Sequence, residues 1–169
     1  MRTMASRTPA VLGDKDVVLL RAAFEVAVGA REEGNLPFGC VIADEAGNIV
    51  IEQGNRALLP VRDPTAHAET LASGLAARRF PPELLAGYTL YSNAEPCAMC
   101  AGAIYWSGIG RMVFGLTEVD LRGLTGNHPD NPTMDMPCRD VLASGQRAVE
   151  VLGPALVDEA LRAFEGYWD

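Results

Sequence analysis

Two short stretches constrain this chain more than any other part of it: Thr65-Ala66-His67-Ala68-Glu69 and, further on, Glu95-Pro96-Cys97-Ala98-Met99-Cys100. Together they contribute one imidazole, two thiols and a carboxylate. Zinc favours nitrogen and sulfur donors, and a catalytic zinc takes three from the protein and leaves its fourth position open. His67, Cys97 and Cys100 supply those three. Glu69 is spaced to do something other than ligate, and stands beside the open position as a group that moves protons. The fold must therefore bring two distant stretches together, each at a helix mouth. Residues two apart in a helix do not face each other, so His67 and Glu69 serve one site only where a helix begins, which Pro64-Thr65 marks. Cys97 and Cys100, three apart, share one face of a first turn. Pro96 suits the entry of that helix, and a helix N-terminus favours the thiolate that a metal binds.

Around these mouths the sequence reads as alternating helix and strand. A first helix starts near Asp14, read as its N-cap, with apolar residues at Val17, Leu20, Phe24 and Ala27, and ends at Gly34-Asn35. Leu36 to Gly39 is a loop. Cys40 to Ala43 and Ile49 to Glu52 form a hairpin across Asp44 to Asn48. A second helix runs from Thr65 to Arg79 with Leu71 and Leu75 on one face, closed by Pro81-Pro82. Tyr88 to Ser92 is a third strand, Pro96 to Trp106 a third helix, Arg111 to Gly115 a fourth strand and Val149 to Leu152 a fifth. A last helix is expected from Pro154 to Tyr167, carrying Leu156, Ala160, Phe164 and Trp168 at four-residue steps. Glu118 to Gln146 is the least regular stretch, with a short helix over Arg139 to Ala143. Strand–helix–strand units make parallel neighbours, which gives an α/β fold with helices covering a sheet.

The order H-x-E and then P-C-x-x-C, each opening a helix after a strand, resembles the zinc deaminases of the cytidine deaminase-like superfamily. The resemblance covers most of the chain. It is carried further by Pro37-Phe38-Gly39, Gly54-Asn55, Asp63-Pro64-Thr65 and Gly102-Ala103-Ile104-Tyr105-Trp106, and points to the branch of guanine, cytosine and tRNA-adenosine deaminases. It implies a three-layer α/β/α fold with a five-stranded mixed sheet, the two metal-bearing helices meeting at its edge. It also implies bound zinc, a hydrolytic aminohydrolase activity with Glu69 as the proton shuttle, and a homodimer paired through the metal-bearing helices. The substrate-binding set is read as Asn55 on the base, Phe38 stacking, Ala68 and Trp106 in the pocket, Glu118 or Asp120 accepting ring protons, and Trp168 in a lid. For each, a plainer role stays open: a turn for Asn55, packing for Phe38 and Trp106, a solvated face for the two carboxylates, core docking for the tail.

Composition narrows the partners. With 22 Asp+Glu against 14 Lys+Arg, the net charge is −8, and no basic footprint for a polyanion is present. That weighs against nucleic acid and places guanine first as substrate, with cytosine or another aminated heterocycle or nucleoside next and tRNA adenosine behind. The 169 residues, 49% apolar, suit a single domain, with residues 1–12 as a flexible tail. No run is long and apolar enough for a membrane, and the N-terminus lacks the apolar region of a secretory signal, so a cytoplasmic location is expected. The competing reading is a structural zinc interaction domain, closed by Cys138, Cys40 or His128 as fourth ligand. A redox role for Cys97 and Cys100 is the other alternative.

Overall fold

The computed structural model describes residues 11–126 and 128–169. The tail expected over 1–12 lies outside the described residues for its first ten positions, and Leu12 already packs on the core. In chain order the elements are α1 (Asp14–Glu32), β1 (Gly39–Ala43), β2 (Ile49–Gly54), α2 (Ala68–Arg79), α3 (Pro82–Leu85), β3 (Thr89–Ala94), α4 (Ala98–Ser107), β4 (Arg111–Leu116), α5 (Glu118–Thr125), α6 (Cys138–Ala143), β5 (Glu150–Leu152) and α7 (Val157–Leu161), followed by a 3-10 turn over Arg162–Phe164. The sheet order is β2-β1-β3-β4-β5. β1 is antiparallel to β2 and β3, while β3, β4 and β5 run parallel, so the sheet is mixed as expected.

The strands' two-residue period sorts side chains into two cores. Val41, Ala43, Tyr91 and Val113 face α1, α7 and the 3-10 turn. Cys40, Ile42, Leu90, Met112 and Phe114 face α2, α3, α4 and α6. This is the three-layer α/β/α arrangement. Gly39 is required where α1 crosses β1, because a Cβ there would collide with the backbone of Val26 and Ala27. Toward the far end of the sheet, Arg111 clasps the buried Asp16 carboxylate through two nitrogens at 2.7 and 2.9 Å, and Tyr91 Oη donates to it at 2.7 Å. That clasp pins α1 across β3 and β4.

One end of the sheet gathers what matters for function. The register pairs Gly39 with Gly54, Cys40 with Ser92 and Ala94 with Leu116. The entry to β1 and the exits of β2, β3 and β4 therefore lie side by side, and both metal-bearing helix mouths open there. Their junction is at the carboxyl ends of the central strands and not along an outer strand, the place where open α/β sheets bind ligands.

Three local expectations are corrected. Gly13, not Asp14, occupies the N-cap of α1, with its N–H bonded to Asp16 Oδ2 at 3.2 Å. The buried face of α2 is the stripe Ala68, Ala72 and Ala76, not Leu71 and Leu75, because small side chains let the helix lie close to the sheet. The single terminal helix is instead a short α7 and a 3-10 turn. Leu156 takes a left-handed conformation (φ 50°), which delays the helix start, and Gly166 (φ 64°) reverses the chain so that Trp168 folds back on Phe164.

Candidate active site

His67 is the N-cap of α2 and Cys97 the N-cap of α4, both in extended backbone conformation. Asp63 sets up the first of these mouths: its Oδ1 accepts from Thr65 N and Oγ1 at 2.9 and 2.7 Å, turning the chain just before His67. Cys100 follows within the first turn of α4, so both sulfurs reach the same point. The Cys97 and Cys100 Sγ atoms lie 3.6 Å apart, and His67 Nδ1 is 3.6 Å from the first and 3.5 Å from the second. A tetrahedral zinc with Zn–S of about 2.3 Å and Zn–N of about 2.0–2.1 Å has ligand-to-ligand edges of about 3.5–3.8 Å. The triangle thus fits that ion in both donor chemistry and size. Among the described residues no fourth His, Cys, Asp or Glu joins this group. Cys40 and Cys138 are buried elsewhere in the core, and His128 Nδ1 accepts from Asp130 N at 3.2 Å.

Electrostatics prime Cys97 as a thiolate. Hydrogen bonding with Cys100, and then with His67, draws the Cys97 thiol down to about 4. Its bond to Cys97 raises His67, with the charges of Glu69, Cys97 and Glu118 adding to the rise. Glu69 sits in the first turn of α2, 4% exposed. Burial pushes its carboxyl up, and the Ser92 hydroxyl opposes that shift by donating to Oε1 at 2.6 Å. Cys100 Sγ stands 3.4 Å from Oε2.

His67, Glu69 and Cys97 open onto a cavity of about 350 Å³, toward the small end of ligand pockets. Of the expected substrate-binding residues, Phe38 and Glu118 line it. Glu118 is buried, and desolvation, with the charges of Cys97, Glu95 and Glu69, pushes its carboxyl up to about 8. The other five stand elsewhere. Asn55 is buried, its Oδ1 accepting from Ala57 N at 2.9 Å, and it is Ala57 that lines the cavity. Ala68 heads the packed stripe of α2. Trp106 is 84% exposed on α4, because the outer side of that helix is bare. Asp120 is exposed and closes the start of α5, its N–H and Oδ2 both bonded to Thr117 Oγ1, at 3.0 and 2.6 Å. Trp168 packs against Phe38 (6.3 Å between centroids) from outside the cavity lining, so the tail backs the wall in this structure.

Several site residues escaped the sequence reading. Glu95 lines the cavity, and the segment Pro129 to Met134 forms one of its walls. Ser92 holds Glu69. Asn93 fixes the entry to Phe38, accepting from Gly39 N at 3.0 Å and donating to Pro37 O at 3.0 Å. Asn35 Oδ1 accepts from Leu58 N and Leu59 N at 3.0 and 2.9 Å, tying another wall to the end of α1. A signal was available: Ser92, Asn93 and Glu95 interrupt the apolar run expected of a central strand, and buried polar groups need partners.

A three-donor centre with an open side, seated at the carboxyl ends of a mixed sheet, places the protein in the class of zinc metalloenzymes that activate water. Within that class, the model of the cytidine and deoxycytidylate deaminase zinc-binding region matches residues 14–116, and the chain belongs to this family, with zinc as its cofactor. It is similar to a probable cytosine deaminase of Schizosaccharomyces pombe, 45% identical over 158 residues that span 94% of this chain and 95% of the relative. A tRNA-specific adenosine deaminase of Haemophilus influenzae is 42% identical over 108 residues, 64% of this chain and 62% of the relative. In fold it resembles the guanine deaminase of Nitrosomonas europaea, with a TM-score of 0.71 at 24% identity over 95% of this chain and 87% of the other.

Proposed function

We propose that this chain is a hydrolytic deaminase of a small free nucleobase, releasing ammonia, with His67, Cys97 and Cys100 as zinc ligands and Glu69 as the proton shuttle. The observation that carries the reading is Glu69: a buried carboxylate on the cavity, beside the three donors, with one oxygen already engaged by Ser92. A structural metal site has no use for such a group. Zinc, when bound, supplies the Lewis acidity that makes water nucleophilic at neutral pH. The chain's own residues do the rest. Ser92 occupies Oε1 and leaves Oε2 of Glu69 to exchange protons. Oε2 takes the proton that water sheds on attacking the aminated ring carbon and delivers it to the adjacent ring nitrogen. It then carries a second proton, from the hydroxyl now on that carbon, to the amino group, which leaves as ammonia while the carbon keeps the oxygen as a carbonyl. Phe38 offers a ring face to the base, and Glu118 a carboxyl to its edge.

Cavity size and charge both favour a small, unphosphorylated substrate. Among the described residues, Glu69, Glu95, Asp130 and the largely protonated Glu118 line the cavity against the single guanidinium of Arg62, an unfavourable setting for phosphate. Cytosine now ranks ahead of guanine, because the likeness to the probable cytosine deaminase runs nearly the full length of both chains. Guanine is the second reading, supported by the acidic Glu118 that could meet a ring N–H. The test is kcat/KM for cytosine, guanine, adenine, cytidine, guanosine and a tRNA under one condition. Preference for cytosine or guanine by at least about tenfold is expected, and preference for tRNA, or no ammonia from any base, overturns the proposal.

A further inference from the structure

The wall that closes the cavity hangs from one buried carboxylate that the proposed chemistry does not use. Glu95 Oε2 accepts from Glu118 N at 3.0 Å and Glu95 Oε1 accepts from Cys138 N at 2.9 Å. These are the first residues of α5 and α6, the helices that bracket the wall segment. Glu118 itself lines the cavity beside that wall. The remaining side-chain ties of the segment are slight: Thr125 to Thr133 at 3.1 Å, Asn131 to Thr133 at 3.4 Å, Asp130 N to His128 Nδ1 at 3.2 Å, and the exposed pair Arg122–Asp135 at 3.4 Å. Glu95 itself stands two residues before Cys97, separated only by Pro96, which fixes the backbone between them.

We infer that Glu95 is a positioning residue that couples the Cys97 segment to the substrate wall and acts on substrate through Glu118. One carboxylate with four acceptor sites can satisfy two amides at once, and being charge-assisted, these bonds are stronger than amide–carbonyl ones. An amide in its place offers one oxygen and turns an N–H₂ toward the second amide, leaving a buried donor facing a donor. Such a change frees one bracketing helix and, with it, the place of the Glu118 carboxyl. The metal donors, held by the mouths of α2 and α4, stay where they are.

For its kinetic arm the inference rests on the proposed deaminase reading, so the test has a second arm that needs no turnover. Glu95→Gln should speed exchange of the Glu118 and Cys138 amides, read by NMR, while the amides of the sheet and the zinc content stay as in the parent. Glu95→Asp, which keeps the charge but is too short to span both amides, serves in the same way if the Gln variant fails to fold. Kinetically, Glu95→Gln should raise KM for the preferred base by about 10–100-fold with kcat within about threefold. In a Glu118→Gln background the same change should add less than about threefold, since contacts acting through a shared residue are not additive. Equal losses in both backgrounds, or unchanged exchange at both amides, would overturn the coupling. If the parent enzyme deaminates no base, the proposed function falls and the exchange arm still decides the inference.

Discussion

At the scale of single residues, the site separates groups whose removal costs chemistry from groups whose removal costs the ligand. Glu69→Gln keeps the shape, and the bond to Ser92 through its oxygen, but cannot carry a proton. We expect kcat to fall by about 10²–10⁴-fold with zinc content unchanged, measured by ammonia release and elemental analysis. Loss of zinc in that variant would make Glu69 a ligand instead. Glu118 gives the opposite trade. Its folded pKa of about 8 exceeds the ordinary 4.5, so the unfolded chain ionises first and the residue costs stability from about pH 4.5 upward, increasingly to about pH 8. Glu118→Gln keeps the size and polarity of the side chain but cannot ionise, and should therefore raise the thermal midpoint, with no gain at pH 4 and the largest at pH 8. Base binding should weaken in the same protein. A gain independent of pH would show that ionisation is not its source.

Elements carry the two helix mouths and the tail. Replacing Cys97 or Cys100 with Ala removes one of three donors at the start of α4, and each variant should purify with less than about a tenth of the parent's zinc and a lowered thermal midpoint. Full zinc in both would end the ligand assignment. At the other terminus, Trp168 stacks on Phe164 (5.7 Å) and meets Tyr167 (4.9 Å) and Phe38 (6.3 Å). Trp168→Ala should cost about 2–3 kcal/mol in chemical denaturation. Trp168→Phe should cost under half of that, because the indole Nε1 is buried without a partner among the described residues and its loss is no penalty. How much of this was legible in the sequence follows from what each element depends on. The mouths of α2 and α4 were readable because spacing and local capping fix them. The wall between α5 and α6 was not, since Glu95 organises it from another part of the chain and its own residues carry only turn signals. The C-terminal segment misled because Phe164 and Trp168 at a four-residue step fit a helix face, whereas both are drawn to Phe38 across the sheet's end. Asn55 and Trp106 stand outside the cavity lining in this structure, since packing decides where a motif's residues come to lie.

For the whole molecule, the bare side of α4 is the feature that asks for a partner. Met99 and Trp106 are 38% and 84% exposed on a helix that is apolar along its length. We propose a homodimer joined over this side, which would also shelter Met99 where it lines the cavity. Light scattering at micromolar concentration should give twice the chain mass, and Trp106→Asp should give the single-chain mass with zinc retained; a monomeric parent ends the idea. Among the described residues no helix is long and apolar enough to cross a membrane. The meeting of four strand ends at one rim has a bearing on descent. The metal chemistry is fixed by two helix starts, while the ligand is met by joints: before β1, after β2, after β3 and beyond β4. Lengthening or recolouring such joints costs little conformational free energy and leaves the packed frame alone. A gene duplicate of this architecture can therefore change its diet without relearning its trade, and the diversity of substrates in the names of its relatives is the diversity that such a division of labour permits.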